Sequence, residues 1–166
     1  MKGRLPAYKR SFFLSPERKD GLQLAIFYDD GLVYTDFFVD NRFDGYSDVV
    51  HGGMIFGVLD VILWYIIFME TKKIGMTRKV EMEFLKPVIC STHYKAQGKF
   101  LAIDGRDIHA TAWVENQNGE VYARVNGIFR EAREGIDLQA FINRFEFGAT
   151  TPEIQEYFLS LLREPQ

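Results

Sequence analysis

Residues 52–69, GGMIFGVLDVILWYIIFM, constrain the fold most, because this long apolar run carries a single charge, Asp60. Length and composition would suit a membrane span. A carboxylate in mid-lipid is costly, however, and the run opens on two glycines with Gly57 inside it. A helix apolar on every face also fits a protein interior, provided other elements wrap it. The expectation is therefore a buried helix and no membrane span.

The flanking segments supply the wrapping. Residues 21–28 and 32–39 read as strands around the turn signal Asp29-Asp30-Gly31, and 40–48 are polar and turn-like. Beyond the helix, 77–85 alternate, with Val80, Met82 and Phe84 on one face and Lys79, Glu81 and Glu83 on the other. Strands follow over 93–101, 106–114 and 121–129, with turns at Asp104-Gly105 and Asn118-Gly119. An antiparallel sheet wrapped around one apolar helix satisfies this order, which makes the fold α+β. In the tail, Ile154, Tyr157, Phe158, Leu161 and Leu162 mark one helical face, opened by Thr151 as N-cap and Pro152 at the first position. A shorter helix is expected within 137–147. The expected domains are 1–133, with a core of about 21–130, and a helical extension over 134–166.

Composition excludes several classes. Twenty Lys and Arg against 23 Asp and Glu leave a net charge of −3, too acidic for a phosphate-backbone binder. A lone cysteine, Cys90, forbids an internal disulfide and a cysteine-rich metal site, so no metal is expected. The N-terminus shows no secretory pattern, which points to the cytoplasm. Gly-x-Gly-x-x-Gly, P-loop and His-Glu-x-x-His patterns are all lacking. Aromatic residues reach 15%, which predicts a crowded core or faces covered by another subunit. Lone His93 and His109 read as ordinary strand histidines, and Cys90 as a small buried residue.

The chemistry concentrates in 45–53, GYSDVVHGG, and in Asp60. His51-Gly52-Gly53 stands at the mouth of the helix, where first-turn amides lack intrahelical partners and glycine admits close approach. The positive helix end suits a carbonyl oxygen that gains negative charge. The plainer alternative is a tight turn with a structural histidine. Asp60, desolvated among apolar neighbours, is expected to titrate high and to mark a functional site. It lies eight residues from Gly52, about 12 Å along a helix. An attacking group must come within about 3–3.5 Å of its carbon, so one helix cannot serve both ends of one substrate. Two protomers related by a dyad can.

These residues carry a family resemblance. Gly45-Tyr46-x-x-x-Val50-His51-Gly52-Gly53, then Leu59-Asp60, the strand end Phe84-Leu85-Lys86-Pro87-Val88 and the last hairpin resemble the 4-hydroxybenzoyl-CoA thioesterase superfamily, PaaI-like branch, over about 21–129. The resemblance implies a hotdog fold that hydrolyses acyl-CoA thioesters as a homodimer or as a tetramer of two paired dimers. It implies no cofactor, coenzyme A being part of the substrate. Asp60 would act as nucleophile or as general base for water, and Gly52 or Gly53 would polarise the carbonyl. Thr77 would orient the water and His51 the loop. Gly45, Tyr46 and Val50 would contact substrate. Arg106 and Arg124 suit CoA phosphates, with a solvated strand face as the alternative. Two departures stand out: Gly45 replaces an Asn or Gln common in relatives, and Val61-Ile62-Leu63-Trp64-Tyr65 is bulky, which predicts a shallow acyl pocket. They favour the rival reading of a non-catalytic acyl-CoA-binding or ligand-sensing hotdog protein. A hotdog dehydratase is a second rival, but its His-plus-acid motif is not found.

Overall fold

The computed structural model describes residues 1–132 and 137–163. It divides into two compact units, Gly31–Ala132 and a second built from Met1–Asp30 with the tail. The boundary expected between 133 and 134 lies outside the described residues.

In the second unit, strand β1 (Lys2–Arg4) pairs with β3 (Phe27–Asp29), and β2 (Ala7–Tyr8) pairs with β11 (Phe145–Glu146), both antiparallel. Helices α2 (Leu138–Ile142) and α3 (Pro152–Ser160) complete it. Asp137 caps α2 by accepting from the Ala140 amide at 3.1 Å. Thr151 occupies the N-cap of α3 as expected, but its hydroxyl donates instead to the Arg4 carbonyl at 3.3 Å. The apolar face of α3 is buried through Ile154 and Phe158, and the Phe158 ring meets Phe145 edge-on at 5.6 Å. The strand expected over 21–28 is shorter than predicted. Leu22 and Leu24 amides donate to the Phe12 and Phe13 carbonyls, and Gln23 takes a left-handed φ of 51°, which interrupts extended backbone.

The unit Gly31–Ala132 holds the expected wrapped helix. Strand β4 (Leu32–Phe38) leads through a short 3-10 turn into β5 (Asp44–Tyr46) and β6 (Val49–Val50), a small antiparallel pair. Helix α1 (Gly52–Thr71) follows, then β7 (Gly75–Phe84), β8 (His93–Asp104), β9 (Asp107–Glu115) and β10 (Val121–Glu131). The main strands run in the order β4-β8-β9-β10-β7, all antiparallel. The Asn118-Gly119 turn closes as predicted, with Gly119 at φ 78° and the Asn116 side chain accepting from the amides of Asn118 and Glu120.

Helix α1 is long and apolar enough to cross a membrane, but here the sheet covers one side of it. Ile55, Val58, Leu59, Ile62, Leu63 and Ile66 repeat at helical spacing and are buried. Close approach is possible because the sheet carries glycine beneath the helix. A Cβ at Gly98 would lie 2.7 Å from Ile62 Cγ2, and one at Gly127 2.8 Å from Leu63 Cδ1. Lys72 ends the helix in a left-handed conformation, its amide donating to the Phe68 carbonyl at 2.9 Å.

Candidate active site

The opposite stripe of α1 is not covered within its own unit. Met54, Phe56, Gly57, Asp60, Val61 and Trp64 are linked by three- and four-residue spacings and are only partly buried. Asp60 lies mid-stripe. Strand β7 delivers Thr77 to it: Thr77 stands opposite Phe129 on β10, so both point to the helix side of the sheet, and the Thr77 hydroxyl donates to Asp60 Oδ1 at 2.9 Å. Burial raises the Asp60 carboxyl above the ordinary carboxylate range, and the Thr77 hydrogen bond pulls it partly back. The result is a partly desolvated carboxylate with a hydroxyl holding it.

The other end of the helix presents amides. His51 is the N-cap, and its Nδ1 accepts from the Gly53 amide at 2.9 Å. That nitrogen therefore carries no proton, and the Gly53 N–H is occupied. Met54 and Ile55 amides both reach the His51 carbonyl. The Gly52 amide has no acceptor among the described residues. Of the two candidate donors, Gly52 is thus the one available. A cavity of about 580 Å³ opens over it, lined by Gly45, Tyr46, Val50 and His51 on one side and by Phe84 and Pro87 on the other. The Phe84 ring comes so near that a Cβ at Gly52 would meet Cζ at 3.2 Å.

The structure thus brings Gly45, Tyr46, Val50, His51 and Gly52 to one cavity and Asp60 with Thr77 to a second place further along α1. Arg124 and Arg106 belong to neither. Arg124 faces away from the helix and pairs with Glu83 at 2.7 Å, and Arg106 donates to the Glu131 carbonyl at 3.2 Å. Trp64, one turn beyond Asp60, stacks flat on Phe68 at 5.3 Å. Cys90 is buried, and its thiol is pushed up by desolvation and by nearby Asp44, Asp48 and Asp40. Phe84 was not singled out as a site residue; its position at a strand end beside Pro87 was the available signal. Among the described residues no cluster of His, Cys, Asp or Glu has the arrangement of a metal site.

A long antiparallel sheet curled around one apolar helix defines the class: this chain has the hotdog fold. No family model matches it. It is 30% identical over 92 residues to an uncharacterized protein of Schizosaccharomyces pombe, a match that spans 52% of this chain and 53% of that one, about half its length. Among solved structures, a thioesterase superfamily protein superposes with a TM-score of 0.69 at 23% identity, covering 74% of this chain and 61% of that chain. A hypothetical thioesterase of Streptococcus pneumoniae TIGR4, solved with coenzyme A, gives 0.58 at 19% identity, covering 62% and 82%. Variants of the latter with an aspartate or a threonine replaced by alanine have also been crystallised.

Proposed function

We propose that this chain is an acyl-CoA thioesterase, which adds water to a thioester carbonyl and releases a carboxylic acid and the coenzyme A thiol. The observation that carries the reading is Asp60, a half-buried carboxylate on an uncovered apolar stripe with a hydroxyl holding it. Burial strengthens it as a base, and a thiolate leaves with little acid assistance. Asp60 takes the proton of the attacking water or attacks the carbonyl itself. Thr77 orients it, and the Gly52 amide at the helix mouth polarises the carbonyl oxygen. His51 holds the loop, and the cavity walls at Gly45, Tyr46 and Val50 receive substrate. Arg124 would meet a CoA phosphate only by exchanging Glu83 for it; Arg106 would need only to leave a carbonyl. The names of solved proteins with this fold, one of them holding coenzyme A, support the substrate class. The cytoplasm is the compartment that goes with it.

The separation of Gly52 from Asp60 along one helix favours a site shared by two protomers, each giving amides to the other's carboxylate. Mixing two variants tests this. Gly52→Val, which drives a side chain into the Phe84 ring, and Asp60→Asn should each be inactive alone. Refolded together, they should recover about one quarter of the parent's thiol release, because statistical pairing leaves one intact site in every mixed dimer. A mixture as inactive as its components would place each site within one protomer.

Thr77→Val removes the hydroxyl that favours the ionised carboxylate. The acid limb of the pH–rate profile should then move to higher pH, since Asp60 loses the one influence that lowers its proton affinity. An unmoved limb would detach that limb from Asp60.

The non-catalytic reading is favoured by Gly45 and by the bulk of Val61 and Trp64 on the stripe. Coenzyme A binding by calorimetry, with no thiol released from aliphatic or aromatic acyl-CoA esters, would support it over hydrolysis.

A further inference from the structure

We propose that the turn after β2, with the start of the β11 arm, is a binding site for a phosphate group, independent of the thioesterase reading. The pairing of β2 with β11 is prolonged by the Lys9 amide, which donates to the Arg144 carbonyl at 2.8 Å. The chain then turns tightly, the Ser11 amide returning to the Tyr8 carbonyl at 3.1 Å with Arg10 held at φ 62°. Two segments distant in sequence thereby frame one cavity of about 550 Å³, lined by Tyr8, Lys9, Arg10, Ser11, Asn143 and Arg144.

Among the described residues no carboxylate lines this cavity, and three of the six that do are cations. Several cations elsewhere are answered by acids, as in Lys2 with Asp29, Arg42 with Asp40, Lys73 with Glu131 and Arg124 with Glu83. Here, among the described residues, Lys9 Nζ donates only to the Asn143 carbonyl at 2.9 Å, and the Arg144 guanidinium only to the Tyr8 hydroxyl at 3.3 Å. Arg10 has no side-chain partner among the described residues.

The neutral groups are biased the same way. The Tyr8 oxygen accepts from Arg144, the Ser11 hydroxyl oxygen from the Phe13 amide at 3.2 Å, and the Asn143 side-chain oxygen from Gln139 at 3.0 Å. Each acceptor is engaged within the protein, which leaves the Tyr8 and Ser11 O–H and the Asn143 NH₂ to donate outward. A lining rich in outward donors and positive charge fits a ligand that is all acceptor and multiply negative. Phosphate has that character, and guanidinium forks match its oxygens in pairs.

The test is calorimetric titration of the full chain with inorganic phosphate at low ionic strength. Saturable binding of one phosphate per chain is expected. Arg10→Gln and Arg144→Gln should each weaken it about tenfold, the cost of a lost charge-assisted hydrogen bond. Lys99→Gln, an exposed cation on β8, should leave it unchanged, and unaltered melting curves would certify that each variant folds. Equal binding by all variants would reduce the effect to diffuse attraction and overturn the site. So would the absence of saturation. A parallel sedimentation with phosphatidylcholine vesicles containing phosphatidic acid separates the sources. Vesicle binding that inorganic phosphate displaces would make the phosphate of a lipid headgroup an occupant of the same site. Vesicle binding without any phosphate titration would overturn the proposal in favour of a membrane-facing surface.

Discussion

Asp60→Asn is expected to lower thiol release from acyl-CoA by about 10²–10⁴-fold, the usual contribution of a positioned base, while making the protein more stable at neutral pH. The two effects have one cause. Asn keeps an oxygen to accept from Thr77 and fills the same space, so only the charge and the basicity disappear. For stability the sign follows from the raised carboxyl. The native state holds the Asp60 proton more tightly than the unfolded chain does. Its stabilising effect is complete below the unfolded value and is lost as pH rises through the raised native value. The Asn variant lacks this dependence. Its melting temperature should therefore exceed the parent's at pH 8, with the gap closing as pH falls below the ordinary carboxylate range. Thiol release within about threefold of the parent's would remove Asp60 from the chemistry, since a base contributes far more. A variant less stable than the parent at pH 8 would show that its carboxylate is well solvated or paired.

Phe129→Ala carries the largest expected loss of stability, about 3–5 kcal/mol. The ring is wholly buried and wedged between two glycine positions: a Cβ at Gly75 would touch Phe129 Cβ at 3.2 Å, and one at Gly127 its Cε2 at 3.1 Å. No neighbouring side chain stands at those glycines to relax into the space. Urea unfolding measures the loss. Because Phe129 lies opposite Thr77 across the β10–β7 ladder, the variant should also loosen the Thr77–Asp60 contact and lower thiol release at temperatures where it remains folded. A loss below about 1 kcal/mol would mean that the strands close over the gap, against the packing described for β7.

Much of the candidate site was legible because the signals are local. A single acid in an apolar helix is visible in any reading, and its desolvation follows from its neighbours. A water-orienting role for Thr77 came from its position in a resembling family; its hydrogen bond to Asp60 was not legible and needed the register that sets Thr77 across from Phe129. The choice between the Gly52 and Gly53 amides was not legible. It turns on the imidazole of His51 folding back onto the second glycine, a rotamer that no spacing encodes. Arg106 and Arg124 looked equally suited to phosphate, whereas the register hands Arg124 to Glu83. Residues 21–28 read as a strand by composition, yet their amides found the carbonyls of Phe12 and Phe13.

What the sequence determined by itself is the period of each element: the alternation of β7, β9 and β10, the apolar length of α1 and the stripe of α3. These depend on residues a few positions apart, which the chain's own geometry brings onto one face. What only the tertiary structure decided is which distant segments meet. The N-terminal arm joins the tail through Tyr8 and Phe145, the cations of Lys9, Arg10 and Arg144 converge on one cavity, and Thr77 reaches Asp60. Such meetings are set by competition among many edges and faces for the same partners, and no local pattern records its outcome.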